Sequence, residues 1–296
     1  MTLDIRGSIK NTKLSTNPYV VFEELISNAI DSYLIRKSMD PHAPDMQVEL
    51  EVKFVPAGLD ENQEDMSVSC QDNGCGLGDE QLKAFLTKDT SYKDDLSISG
   101  IGQCKGAGRI QFFHHFSELL LESDYPDGNA FTERKLHYLE PQKQIDADNF
   151  SSAPSTKARA GTRITLKKLK PFVHAKIMRG DELSSLFSAS ALKKNFLVTF
   201  LQRLISLDSS LGDFEIKFSS QHWKEEAQNS TLKRSDLPSV TIVETVTAKE
   251  YDPETGECVA DPQNFKISHY KLDARQYDLP KNSIALCAKS SPVKDI

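Results

Sequence analysis

The chain has no apolar run near the roughly 18 residues that a membrane span requires, and its opening residues, Met1, Thr2, Leu3, Asp4, Ile5 and Arg6, lack signal-peptide architecture. A cytoplasmic protein with no membrane partner is expected. Its five cysteines, Cys70, Cys75, Cys104, Cys258 and Cys287, are odd in number and include no C-x-x-C pair. Reduced thiols are expected. The seven histidines show no metal-ligand spacing, because the adjacent His114 and His115 diverge on a helix. An excess of basic charge is also missing: the formal net charge is −7, and the run Lys167, Lys168, Leu169, Lys170 is too short to make a nucleic-acid footprint. Two common nucleotide signatures are absent too. No G-x-x-x-x-G-K-[ST] occurs, and the glycines from Gly100 to Gly108 do not follow the strand that a dinucleotide fingerprint needs. With 296 residues, 38% hydrophobic and 27% charged, the chain has room for one large or two modest domains.

What the chain does contain starts at residues 22–32, where Glu24, Asn28 and Asp31 fall at i, i+4 and i+7 on one helical face. Phe22, Leu25, Ala29 and Tyr33 repeat on the other side, with Ile26 and Ile30 beside them, so that side can seat on a sheet. A carboxylate can take a proton from water, and an amide oxygen is a ligand that Mg2+ accepts. An ordinary amphipathic helix with a wet side shares this pattern.

Ser15, Thr16 and Asn17 can start that helix, and Met39, Asp40 and Pro41 end it. Residues 46–54 alternate polar and apolar as a half-buried strand does, and 56–65 read as a polar loop. Met66, Val68 and Cys70 mark a second strand, which stops at Asp72, Asn73, Gly74, Cys75 and Gly76. Glycines there let backbone approach a flat ligand while Asp72 accepts a hydrogen bond from it, and an adenine amino group would suit. A plain strand-ending turn uses the same residues.

Residues 79–87 suit a short helix, and 88–108 form a long irregular stretch that includes Thr90, Ser91 and Lys105. Gly100, Gly102, Gly106 and Gly108 put four glycines in nine residues of it, just ahead of an apolar helix over 109–116. Amides at a helix start can bind phosphate; a flexible surface loop has the same composition. Strands follow at 119–123 and 131–139, then a loop or insertion over 141–160 and a strand at 161–166. From residue 181 apolar residues recur at helical spacing, and 214–218, 240–247, 265–272 and 283–288 are further strands of a second α+β unit.

Four of these stretches agree in type and order with the GHKL ATPases, the superfamily of gyrase, the ninety-kilodalton heat-shock chaperones, histidine kinases and MutL. Residues 24–31 resemble the E-L-x-x-N-x-x-D helix, 72–76 the D-x-G-x-G turn, 102–108 the glycine-rich lid, and Gly161-Thr162 the Gly-Thr element. Thr90 and Ser91 resemble the lid start of MutL relatives. The resemblance implies a Bergerat-type α/β sandwich over 1–175, with a mixed, mostly antiparallel sheet and helices on one face. A smaller, MutL- or gyrase-like transducer domain of α+β type would occupy 176–296, either truncated at its C-terminal end or abbreviated.

By that resemblance Glu24 would be the general base, Asn28 the Mg2+ ligand, and Asp72 the adenine acceptor assisted by Thr162. Asp31 would support the helix and the sugar side, and Gly74 and Gly76 would admit the nucleotide. Gly102, Lys105, Gly106 and Gly108 would belong to a lid over the phosphates. The implied function is Mg2+-dependent ATP binding and slow hydrolysis that drives lid closure and homodimerisation. Such an engine serves larger DNA-repair, defence or chaperone-like proteins, whose nucleic-acid or protein effectors would act through other regions. A nucleotide sensor without hydrolysis and a protein kinase are the alternatives.

Overall fold

The computed structural model describes residues 1–57, 60–88, 92–96, 98–101, 108–179, 182–249, 251–258, 263–271, 285–288 and 291–295. In chain order the first elements are strand β1 (Thr2–Asp4), helices α1 (Ile5–Asn11) and α2 (Val20–Met39), strands β2 (Gln47–Ala57) and β3 (Asp60–Asp72), and helices α3 (Asp79–Leu86), α4 (Tyr92–Asp95) and α5 (Ile110–His115). Next come β4 (Phe116–Asp127), β5 (Ala130–Leu139), β6 (Gln144–Asp146), β7 (Phe150–Pro154) and β8 (Gly161–Leu169). Helices α6 (Pro171–Lys176), α7 (Leu183–Leu186), α8 (Ala189–Ser206) and α9 (Asp208–Leu211) precede β9 (Glu215–Gln221) and β10 (Gln228–Lys233). Strands β11 (Val240–Ala248), β12 (Gln263–Tyr270), β13 (Ala285–Ala288) and β14 (Ser291–Asp295) complete the described chain.

The fold is α+β. One eight-stranded sheet, in the order β10-β9-β2-β3-β8-β4-β5-β7, is antiparallel at every join except β2–β9, which is parallel. Its covered face shows in the period of two along β2, where Val48, Leu50, Val52 and Phe54 are buried and Glu49 and Lys53 are exposed. Helix α2 packs on β2 and β3, and α8 on β9 and β10. The apolar stripe of α2, Phe22, Leu25, Ile26, Ala29, Ile30 and Tyr33, is buried as its spacing predicts.

Several boundaries differ from the expectation. The loop expected over 56–65 is mostly strand, because β2 and β3 extend as a long hairpin to the pair Pro56 and Glu64. The insertion expected over 141–160 contains β6, which pairs with β1, and β7, which extends the sheet beyond β5. Short edge strands carry too few residues for a period to show. The described chain divides into two units, one of Met1–Arg234 with Ser283–Ile296 and one of Ser235–Asn282. A boundary at 175/176 therefore does not match the packing: β9 runs beside β2 in register from Gln47↔Glu215 to Lys53↔Gln221, which commits residues beyond 176 to the first unit. The second unit is built on the antiparallel β11–β12 ribbon and a bridge between Tyr251 and Cys258. Among the described residues no helix is long and apolar enough to cross a membrane.

Candidate functional site

Strand parity builds the floor of a cleft. Cys70 pairs with Ile164 across β3 and β8, and Ile164 with Leu121 across β8 and β4, so three apolar side chains form one row on the covered face. Two residues further along each strand the same face presents Asp72, Thr162 and Ser123. All three floor residues, together with Asp72 and Thr162, line a single cleft beneath α2.

Asp72 accepts a hydrogen bond from the Gly74 N–H at 2.8 Å. Burial pushes its carboxyl up to about 7, against the opposing pull of the Gly74 and Thr162 backbone N–H groups and the Arg36 guanidinium. Beside it, Ser123 Oγ lies 2.9 Å from Thr162 Oγ1, donates to the Gly161 carbonyl at 3.1 Å and accepts from the Leu77 N–H at 2.7 Å. Ser123 therefore fixes Thr162 and ties the strand to the turn after β3.

That turn is clamped onto α2. The Arg36 guanidinium donates to the Asn73 carbonyl at 2.6 Å, and the Cys75 N–H donates to Ser32 Oγ at 3.1 Å. Gly76 has φ +76°, and a Cβ there would stand 2.2 Å from the Asp124 carbonyl oxygen, so glycine is required on two counts. Gly74 has a local packing use. It does not line the cleft; a Cβ on it would stand 2.1 Å from Ser32 Oγ, so its small size lets the turn seat against the helix.

From α2, Glu24 and Asn28 face the cleft, with Leu25 and Ala29 beside them. Burial raises the Glu24 carboxyl above the usual carboxylate range, and the nearby Lys93 charge offsets part of that. Gly108 approaches Glu24 so closely that a Cβ would stand 1.9 Å from Oε2. The shared face runs about 10 Å along the helix axis from Glu24 to Asp31, and at its far end Asp31 is buried against Arg203 of α8 and Lys93 of α4 rather than lining the cleft. Its contacts to Lys93 and Arg203 hold α2 in place.

Of the residues singled out in the sequence, Glu24, Asn28, Asp72, Gly76, Gly108 and Thr162 come together in this cleft. Thr90, Ser91, Gly102, Lys105 and Gly106 lie outside the described residues. Sequence reasoning missed Ser32, Lys93, Ser123 and Arg203. Ser32 had a signal, since it continues the four-residue step from Glu24 and Asn28. Lys93 and Arg203 had none, because each meets Asp31 across more than sixty residues of chain. Tyr92 also lines the cleft, and its hydroxyl accepts from Gln81 Nε2 at 2.9 Å.

A nucleotide and a divalent cation can be tested against these residues. Asp72 is a half-buried acceptor beside an apolar floor, the combination a flat heterocycle with an amino group needs. Asn28 Oδ1 already accepts from the Lys93 ammonium at 2.9 Å, so this oxygen attracts positive charge. Among the described residues no group of three or more His, Cys, Asp or Glu side chains could hold a metal. A cation here would depend on one or two protein ligands plus phosphates and water, the usual habit of Mg2+.

No protein-family model matches the chain, and no curated protein matches it in sequence. Among solved structures the chain is similar to the crystal structure of the N-terminal domain of a DNA repair protein, at 15% identity and a TM-score of 0.44. The match covers 82% of this chain and spans 63% of that one.

Proposed function

We propose that the cleft binds ATP with Mg2+ and hydrolyses it slowly, as a GHKL-type ATPase of the Bergerat fold. One observation carries this reading: six residues from four separated stretches, Glu24 and Asn28, Asp72 and Gly76, Gly108, and Thr162, line one cleft with their chemistry sorted along it. An acceptor above an apolar floor lies at one end. A base and an amide lie on the facing helix.

In this reading Asp72 accepts a hydrogen bond from the adenine amino group, and Thr162, held by Ser123, fixes the edge of the base. Cys70, Ile164 and Leu121 exclude water beneath the ring. Asn28 would hold Mg2+, which when bound supplies charge neutralisation at the phosphates. Glu24, its proton affinity raised by burial, takes a proton from the attacking water, and its closeness to Gly108 ties that base to the glycine-rich segment. Positioning and electrostatics would account for most of the rate. ATP-dependent pairing of two copies, and service to a repair, defence or chaperone-like assembly, belong to the same proposal.

Calorimetric titration with ATP and a nonhydrolysable analogue in Mg2+ tests it, with molecular mass measured in the same samples. Wild type is expected to bind both, Asp72→Asn to bind neither, and Glu24→Gln to bind but not release phosphate. Failure of wild type to bind either nucleotide would reject the reading. Binding with equal, negligible phosphate release by wild type and Glu24→Gln would favour a nucleotide sensor, and phosphate transferred to protein would favour a kinase.

A further inference from the structure

Asn28 presents its amide oxygen to the cleft, and that oxygen is already in use. The Lys93 ammonium lies 2.9 Å from Asn28 Oδ1 and 2.6 Å from Asp31 Oδ2, two acceptors on one face of α2. It is a shielded contact, with the lysine side chain 18% and the aspartate side chain 8% exposed. An ammonium is a compact point charge that oxygen ligands surround much as they surround a hard divalent ion. Both cannot sit at bonding distance from Asn28 Oδ1 without severe repulsion.

We propose that Lys93 is a tethered cation occupying the cation seat formed by Asn28 and Asp31, so that a divalent ion reaches Asn28 only when Lys93 withdraws. Lys93 is thereby the residue that sets how strongly nucleotide binding depends on metal. That second consequence rests on the nucleotide reading above; the seat itself rests on the two contacts.

The surroundings explain why the lysine can leave. Asp31 is shared between two cations, and the other one is anchored. Arg203 bonds Asp31 and also donates to Ser27 Oγ at 2.9 Å and to the Gly100 carbonyl at 3.3 Å, from within the long helix α8. When Lys93 withdraws, Asp31 keeps a charged partner, so no buried carboxylate is stranded, an outcome that would be strongly unfavourable. Lys93 sits on the four-residue helix α4 at the end of a flexible four-carbon stem. Phosphate oxygens arriving beside Asn28 give the ammonium a new, charge-assisted partner. In the absence of metal the same lysine would serve as the counter-cation.

The test uses the full chain and Mn2+ alone, with free ion followed by its electron paramagnetic resonance signal. Lys93→Met is expected to bind Mn2+ roughly tenfold more tightly than wild type or Lys93→Arg, a coupling of ordinary size for two ligands competing for one seat. Adding Asn28→Ala should remove the gain. Lys93→Gln repeats the measurement should the methionine variant misfold. Equal Mn2+ binding by wild type and both neutral variants, or a gain that survives Asn28→Ala, overturns the proposal. Calorimetry of ATP in chelator and in Mg2+ then gives the ratio of the two dissociation constants, expected to rise about tenfold in Lys93→Met; an unchanged ratio rejects the role in metal dependence. A Mn2+ gain in a chain that binds no ATP would uphold the seat and reject the nucleotide reading.

Discussion

Asp72 sets the acidity and the stability of the cleft against each other. In the unfolded chain its carboxyl titrates near 3.8, and in the native cleft burial holds it near 7. Below pH 3.8 both states are protonated, so the carboxyl costs nothing. Between pH 3.8 and about 7 the unfolded chain ionises while the native chain keeps its proton, so native stability falls as pH rises, and above about 7 the loss is complete. Asp72→Asn keeps the acceptor for the Gly74 N–H without a charge to desolvate. It should raise the melting temperature at pH 8 and leave it nearly unchanged at pH 3.5, measured by thermal unfolding. A ligand that donates to Asp72 prefers the carboxylate, so wild-type affinity for ATP should increase from pH 6 to pH 8. Absence of both pH trends would mean that the carboxyl is ordinarily acidic in the native chain.

At the scale of elements, the pair α2 and α8 is held by a buried charge contact. Arg203 and Asp31 are both under a tenth exposed, and Arg203 is the partner anchored at several points. Arg203→Met combined with Lys93→Met should destabilise the chain by about 3–5 kcal/mol in urea unfolding, since together they remove both cations that partner the buried Asp31 carboxylate. Asp31→Asn in the same chain should recover part of the loss, which separates the stranded charge from simple loss of packing. Helix α2 was legible in its body because its apolar stripe and its Glu24, Asn28 and Asp31 spacing are local patterns, whereas its start at Val20 behind Tyr19, with no side-chain cap, lies beyond the expected Ser15, Thr16 and Asn17. The partners of Asp31 were not, because a helix repeat says which face a side chain occupies and nothing about what a distant element brings to it. The turn after β3 was legible as a turn; that Gly74 fits against Ser32 depends on the docking of α2.

For the whole molecule, strand parity made the main sheet readable and strand order did not follow from it. Residues 48–54 and 66–70 carry their period of two openly, yet nothing in 215–221 announces that it lies beside β2 instead of in a separate domain. The unit boundary consequently falls after Arg234. A chain ending at residue 175 would lose α8 and β9 and expose the edge of β2, a ready template for aggregation. It is expected to show no cooperative thermal transition by circular dichroism, whereas a chain ending at residue 234 should retain one. A cooperative transition in the shorter chain would show that β2 is stable as an edge.

The same parallel join has a meaning for biosynthesis. Glu49 and Lys217 face each other across 168 residues of chain, and at ordinary elongation rates the first waits roughly ten to thirty seconds on the ribosome for the second. During that interval the hairpin that will carry Asp72 has one unpaired flank and its helix has no Arg203. The newborn cleft is thus incomplete until α8 and β9 have emerged, and the nascent chain passes through a window in which chaperone capture competes with closure of the sheet.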